Sequence, residues 1–287
     1  MEAGAERPGA KRRERERMSY ANVDGLHVEL DDRGVLRLRL DRPKRRNALD
    51  DTMVAGLVDA VDAAGHDEHV RVIVVEGAGD HFCGGFDILA RNAPADAPRP
   101  RAGSIQRRLP SQSHRLVPLL VSVQTPVVCR VQGWCAGIGL HLALAADFAI
   151  VADDARLWEP FTERGFTPDS GGTWLLPRRI GEVRARELLL LGRVLEGREA
   201  LEWGLAHRSV PVGDLDAAVE EVVAHLAAGP TVALGLTKWL LHAGRTAGID
   251  DHLRDESFAL ELSSRSDDFR EGIAAFAEKR PPRFSGR

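Results

Sequence analysis

Cysteine is scarce in this 287-residue chain, with three residues, Cys83, Cys129 and Cys135, each in an apolar or glycine-rich setting. Their spacing matches no metal-ligand pattern, so no metal site is expected. They fit free thiols in a reducing compartment better than a disulfide framework. Long apolar runs are also missing. The most apolar stretch, 137–152, is interrupted by His141 and Asp147 and is too short to span a bilayer. The first 17 residues contain no apolar segment, which predicts no secretory leader and a cytoplasmic location. There is no basic excess either: a net charge of −4 argues against a general nucleic-acid binder. No repeat of fixed period stands out. What the chain does have is 44% hydrophobic residues, enough to bury a large core in one domain with a helical appendage.

Residues 1–19 are mostly Ala, Gly, Glu and Arg and predict a disordered tail. Leu26, Val28 and Leu30 alternate, Asp31 to Gly34 turns the chain, and 35–40 alternate again, which predicts a hairpin. Asp50 can cap a helix whose apolar face holds Met53, Val54, Leu57, Val58 and Val61. The apolar run 70–75 reads as a central strand. Residues 91–110, rich in Pro, Ala and Arg, predict a surface loop or lid, and a helix is expected over 111–123. Strands are expected at 127–131, 148–151, 155–158 and 206–210, and helices at 173–180, 182–191 and around Ala200. Beyond Asp214 four helices are expected, with Asp250 and Asp267 as N-caps. The pattern predicts an α/β core over 20–212 and a helical region over 213–287.

Two junctions join a strand to a glycine-rich turn. One is the run GAGDHFCGGFDI around Gly84, and the other is PVVCRVQGWCAGIGLHLALAAD, where Gly137 and Gly139 flank Ile138. Such a turn at a helix start presents backbone N–H groups and positive helix-dipole potential to one point, which favours a developing anion. Glycine lets the backbone approach closely there. Two such turns are what a two-donor oxyanion hole requires, each supplying one N–H to a single carbonyl oxygen.

With RLDRPKRRNALD, GFTPDSGGTWLLPRRIG, ALEWGLAHRSVP and EGIAAFAEKRPPRF, these segments make the sequence resemble the crotonase (enoyl-CoA hydratase/isomerase) superfamily over about residues 23–284. The resemblance implies a crotonase-like spiral of ββα units with a C-terminal helical region, assembled as a homotrimer or a dimer of trimers. It implies a coenzyme A thioester as substrate, with no other cofactor. By motif position, Gly84 and Ile138 look like the oxyanion donors. Lys44, Arg45, Ala48 and Leu49 resemble the stretch lining the CoA nucleotide, and Asp87 and Ile88 lie where backbone groups meet the adenine. Phe276 and Lys279 match a C-terminal Phe-x-x-Lys that completes the CoA site, often from a neighbouring subunit. Surface solvation is the alternative reading of Lys44, Arg45 and Lys279.

The chain departs from the family pattern at one functional pair. Hydratases of the family carry two glutamates that bracket one water; the matching positions here are His141 and Phe161. A phenyl ring cannot deprotonate water, so paired-glutamate hydration lacks half its apparatus. Glu159 and Glu163 could replace it only if the register slipped. Asp169, in TPDSGGT, stands where isomerases and aryl-CoA dehalogenases of the family can carry an aspartate; its other reading is a helix cap. His141 reads as a second acid/base or as a polar residue satisfied within its helix. Cys83 reads as a small buried thiol. The expected function is enoyl-CoA isomerisation with Asp169 as acid/base. The alternatives are an atypical hydratase and a non-catalytic thioester-binding homologue.

Overall fold

The computed structural model describes residues 18–88, 101–111 and 113–287. The expectations for residues 1–17 and for 91–100, half of the expected loop, lie outside them. Two sheets carry the architecture. The larger has the order β1-β2-β3-β4-β6-β9 (Leu26–Leu30, Val35–Leu40, Val72–Gly77, Val127–Val131, Phe148–Ala152, Arg208–Val210). β1 and β2 form the expected antiparallel hairpin, and every later pairing in this sheet is parallel. The smaller sheet is β5-β7-β8 (Trp134–Ala136, Arg156–Trp158, Leu195–Glu196). Buried Val and Ile of β3 and Val and Cys of β4 show why these strands read as largely apolar runs, as strands covered on both faces must.

Each turn of the spiral passes from a strand of the large sheet to a short strand of the small one and then to a helix. The clearest turn runs β4, β5, then α4 (Ile138–Ala145). An isolated bridge between Cys83 and Cys135 extends the small sheet toward the turn after β3. Helix α1 (Asp51–Ala64) starts as expected, with the Asp50 carboxylate accepting from Met53 N. Residues 104–110, expected as loop, are helical instead: α2 (Ser104–Arg108) and a following 3-10 turn (Leu109–Ser111) lead into α3 (Ser113–Ser122). Helix α5 (Gly172–Leu191) is broken at Gly181 (φ 73°, ψ 166°), which reproduces the two expected helices. Helix α6 (Gly197–Trp203) precedes β9.

The C-terminal helices are α7 (Leu215–Ala227), α8 (Thr231–Ala243), α9 (Ile249–Ser263) and α10 (Asp267–Glu278). The expected boundary at 212 precedes α7, yet α7 packs on β3, β4 and β6 and places Leu215, Val219 and Val223 in the same core. The caps of the last two helices also differ from expectation. Gly248 precedes α9 without a side-chain bond, and Ser266, whose hydroxyl accepts from Phe269 N, caps α10. Asp250 and Asp267 lie in the first turns, where their charge suits the helix dipole. Among the described residues no single helix is long and apolar enough to cross a membrane.

Candidate active site

The two glycine-rich turns are locked together by close packing at Gly139. A Cβ there would lie 2.6 Å from the Cys83 Cβ and 2.8 Å from its carbonyl oxygen. Gly137 precedes α4 at φ 52°, in the left-handed region, and its N–H donates to Trp158 O at 2.9 Å. Ile138 is the first helical residue, and no side chain caps the helix. The amides of the first turn have no intrahelical acceptor.

The other expected donor is corrected by the hydrogen bonding. Gly84 N–H donates to Arg46 O at 2.7 Å and is therefore spent inside the fold. Two residues on, Leu49 N donates to Gly85 O at 2.9 Å and Asp87 N donates to Leu49 O at 2.7 Å. That pattern bridges Leu49 to Phe86 and turns the N–H of Phe86 to the opposite edge, the edge on which Cys83 pairs with β5. The donor direction belongs to Phe86. Residue types do not encode peptide orientation, which is why glycine spelling alone pointed to Gly84.

The segment 42–49 builds this turn rather than merely lining it. Arg46 and Asn47 both have positive φ (51° and 55°). Asn47 is fully buried; its Nδ2 donates to Ala78 O and His81 O, and its Oδ1 accepts from Arg42 N. Leu49 has no exposed surface, so its side chain packs the core and only its backbone serves the site. Ala48 is half-buried, and Lys44 and Arg45 are exposed. The Asp87 carboxylate accepts from Arg42 Nη2 and Arg45 Nη1, both at 3.0 Å. The amides of Asp87 and Ile88 are both committed within the turn, the latter to Phe86 O. Phe276 on α10 is 85% exposed, and Lys279, at φ 54°, ends that helix on the surface.

His141 finds its polar partners outside its own helix. It is fully buried, with Nε2 2.9 Å from Glu159 Oε1 and Nδ1 2.8 Å from Ser170 Oγ. Phe161 stacks on it at 5.9 Å between ring centroids and 8° between planes, so the two positions that hydratase glutamates would hold do face each other. Phe166 meets Phe161 edge-on at 5.4 Å. Glu159 is 1% exposed, and its Oε2 has no hydrogen-bond partner among the described residues. Glu163 points elsewhere, against Gly192. Gly172 is required beside this group because a Cβ would strike the His141 ring.

Asp169 is exposed. It is not a helix cap, because Gly171 occupies the N-cap of α5 and no side chain bonds there. His114 on α3 meets the Asp169 carbonyl at 2.7 Å, and Ser170 Oγ donates to Asp169 Oδ1 at 3.3 Å. Ser170, not singled out in the sequence, is thus bonded to both His141 and Asp169, and Glu159, weighed there only as a replacement for the missing glutamate, is the buried end of the group. The only hint was a hydroxyl adjacent to the candidate carboxylate. Cys83 is inert as read: burial pushes its thiol up to about 12. Among the described residues no group of three His, Cys, Asp or Glu could hold a metal ion.

A family model described as enoyl-CoA hydratase/isomerase matches residues 31–287. The chain belongs to that family. Within it, a 1,2-epoxyphenylacetyl-CoA isomerase of Escherichia coli is 39% identical over 261 residues, covering 91% of this chain and 97% of the relative. A trans-2-decenoyl-[acyl-carrier-protein] isomerase of Streptococcus mutans is 30% identical, covering 89% and 96%. The solved enoyl-CoA hydratase of Bacillus anthracis superposes with a TM-score of 0.84 at 29% identity, over 92% of this chain and all of that one. The spiral is the crotonase fold of this enoyl-CoA hydratase/isomerase family.

Proposed function

We propose that the chain is a coenzyme A thioester isomerase. Asp169 takes a proton from one carbon of the acyl chain and returns it to another. The amides of Phe86 and Ile138 hold the thioester oxygen while the enolate exists. The observation that carries this reading is the contrast between the carboxylates. Glu159 is buried and tied to His141, whereas Asp169 is exposed and caps nothing. A proton shift needs one positioned acid/base, which contributes about 10²- to 10⁴-fold, and each oxyanion donor adds about 3 kcal/mol. Paired-glutamate hydration has no support at His141 and Phe161, which stack on one another. The similarity to a protein named 1,2-epoxyphenylacetyl-CoA isomerase supports an isomerase and admits ring-bearing acyl groups.

Lys44, Arg45 and the backbone of 87–88 face the nucleotide end in this reading. Phe276 and Lys279 of a neighbouring subunit close it, since Phe276 is left uncovered by its own chain. The test is interconversion of 3-enoyl- and 2-enoyl-CoA by purified protein. Asp169→Asn is expected to lower kcat by about 10²- to 10⁴-fold with thioester binding retained. Normal turnover by that variant would remove the assigned base. Robust hydration of crotonyl-CoA by the wild type would replace the isomerase reading with the hydratase one.

A further inference from the structure

Four residues from three separate parts of the chain form one hydrogen-bonded line: Glu159, His141, Ser170 and Asp169. Its links are 2.9 Å from Glu159 Oε1 to His141 Nε2, 2.8 Å from His141 Nδ1 to Ser170 Oγ, and 3.3 Å from Ser170 Oγ to Asp169 Oδ1. The first three residues are at most 4% exposed, and only the last reaches solvent. A buried polar group is kept only where its bonds are made, so this line is built, not incidental.

The donor inventory allows the line two directions. The Glu159 carboxylate accepts only, so Nε2 carries a proton. When the single Ser170 hydroxyl proton is given to Asp169, Ser170 Oγ must accept from Nδ1, and the ring then carries protons on both nitrogens. The buried pair is then an imidazolium held by a carboxylate, electrically balanced without water. Phe161 covers the ring face, and Gly172 leaves no room beside it. The other arrangement, with the hydroxyl turned to Nδ1, withdraws the bond from Asp169.

We propose that Glu159, His141 and Ser170 are positioning residues that hold the Asp169 carboxylate by Oδ1, leaving Oδ2 as the oxygen that receives and returns the substrate proton. This rests on the reading of Asp169 as the acid/base. No proton travels down the line: the substrate carbon's proton goes to Oδ2 and comes back, while the hydroxyl keeps the carboxyl from rotating. His114 fixes the same residue from the other side through its backbone carbonyl.

The test compares Ser170→Ala, Ser170→Thr and Glu159→Gln in the full chain. Ser170→Ala is expected to lower kcat about 10- to 10²-fold, as misplacement of a catalytic group does, with KM within about twofold. A hydrogen bond to a charged form favours that form, so its loss moves the acid limb of the kcat profile to higher pH. Ser170→Thr keeps the hydroxyl and is expected to restore the limb. Nitrogen-15 spectra of the wild type should show His141 protonated at both ring nitrogens, and Glu159→Gln should shift it to a neutral tautomer.

An unmoved acid limb in Ser170→Ala, with Asp169→Asn inactive, overturns the line's role and spares the isomerase reading. Full activity in Asp169→Asn overturns both. If Ser170→Ala fails to fold, the wild-type spectrum decides: a His141 ring with one protonated nitrogen overturns the inference.

Discussion

Gly139 is the residue on which the alignment of the two turns depends. Its missing side chain lets Cys83 sit against the first turn of α4, and an added methyl would strike the Cβ, carbonyl oxygen and Sγ of Cys83. Gly139→Ala is therefore expected to destabilise the fold by about 1–3 kcal/mol through overpacking. It should also depress kcat, both checked by urea unfolding beside steady-state rates. The thiol at the same contact gives a second prediction. With burial holding Cys83 near 12, native protein should resist iodoacetamide at pH 8 and react only on unfolding. At this scale the sequence was legible where glycine marks a helix start, as at Gly137 before Ile138. It was illegible where peptide direction decides, as at Gly84 and Phe86. It was equally silent where partners are 18 and 29 positions apart, as in His141 with Glu159 and Ser170.

Among the elements, the β1–β2 hairpin and α1 are legible from period and cap alone. Strands β5 and β8, of three and two residues, are too short to show any period, so they emerge only from pairing. Helix α2 hides behind a Pro- and Arg-rich approach. Long-range anchors are also invisible in the pattern. Lys238 of α8 is 8% exposed and bonds Asp147 at 2.7 Å together with the carbonyls of Leu120 and Thr125. Lys238→Met leaves a carboxylate unpaired and should cost about 3 kcal/mol, the lower end for a broken buried pair because Asp147 is partly exposed, measurable by chemical denaturation.

The C-terminal tail is held differently. Arg280 grips Glu271 with both terminal nitrogens, and Arg283 N–H adds a third bond. Arg280 first, and that amide second, lower the Glu271 carboxyl from the ordinary 4.5 to about 2. A lowered folded value stabilises above 4.5 and loses that contribution as pH falls through about 2. Hydrogen exchange over 280–287 should accelerate in that window, and Glu271→Gln should remove the pH step.

For the whole molecule, the apolar surface left on α9 and α10 (Phe258, Leu260, Leu262, Ile273 and Phe276) is large for a chain that stands alone. Light scattering is expected to return three or six times 31.3 kDa, and Phe276→Ser to weaken thioester binding more than kcat. A monomer with full affinity would refute that completion of the site by a neighbour. One further consequence follows from the ring of Phe161 lying flat on His141. Engineering hydration into this scaffold by writing glutamate at 161 would place the new carboxylate against a ring already bonded to Glu159. The newcomer would compete with Glu159 for that histidine instead of gripping a solvent molecule. A hydrating descendant must therefore first dismantle the inner pair, so the route between the two chemistries passes through at least two changes, made in order.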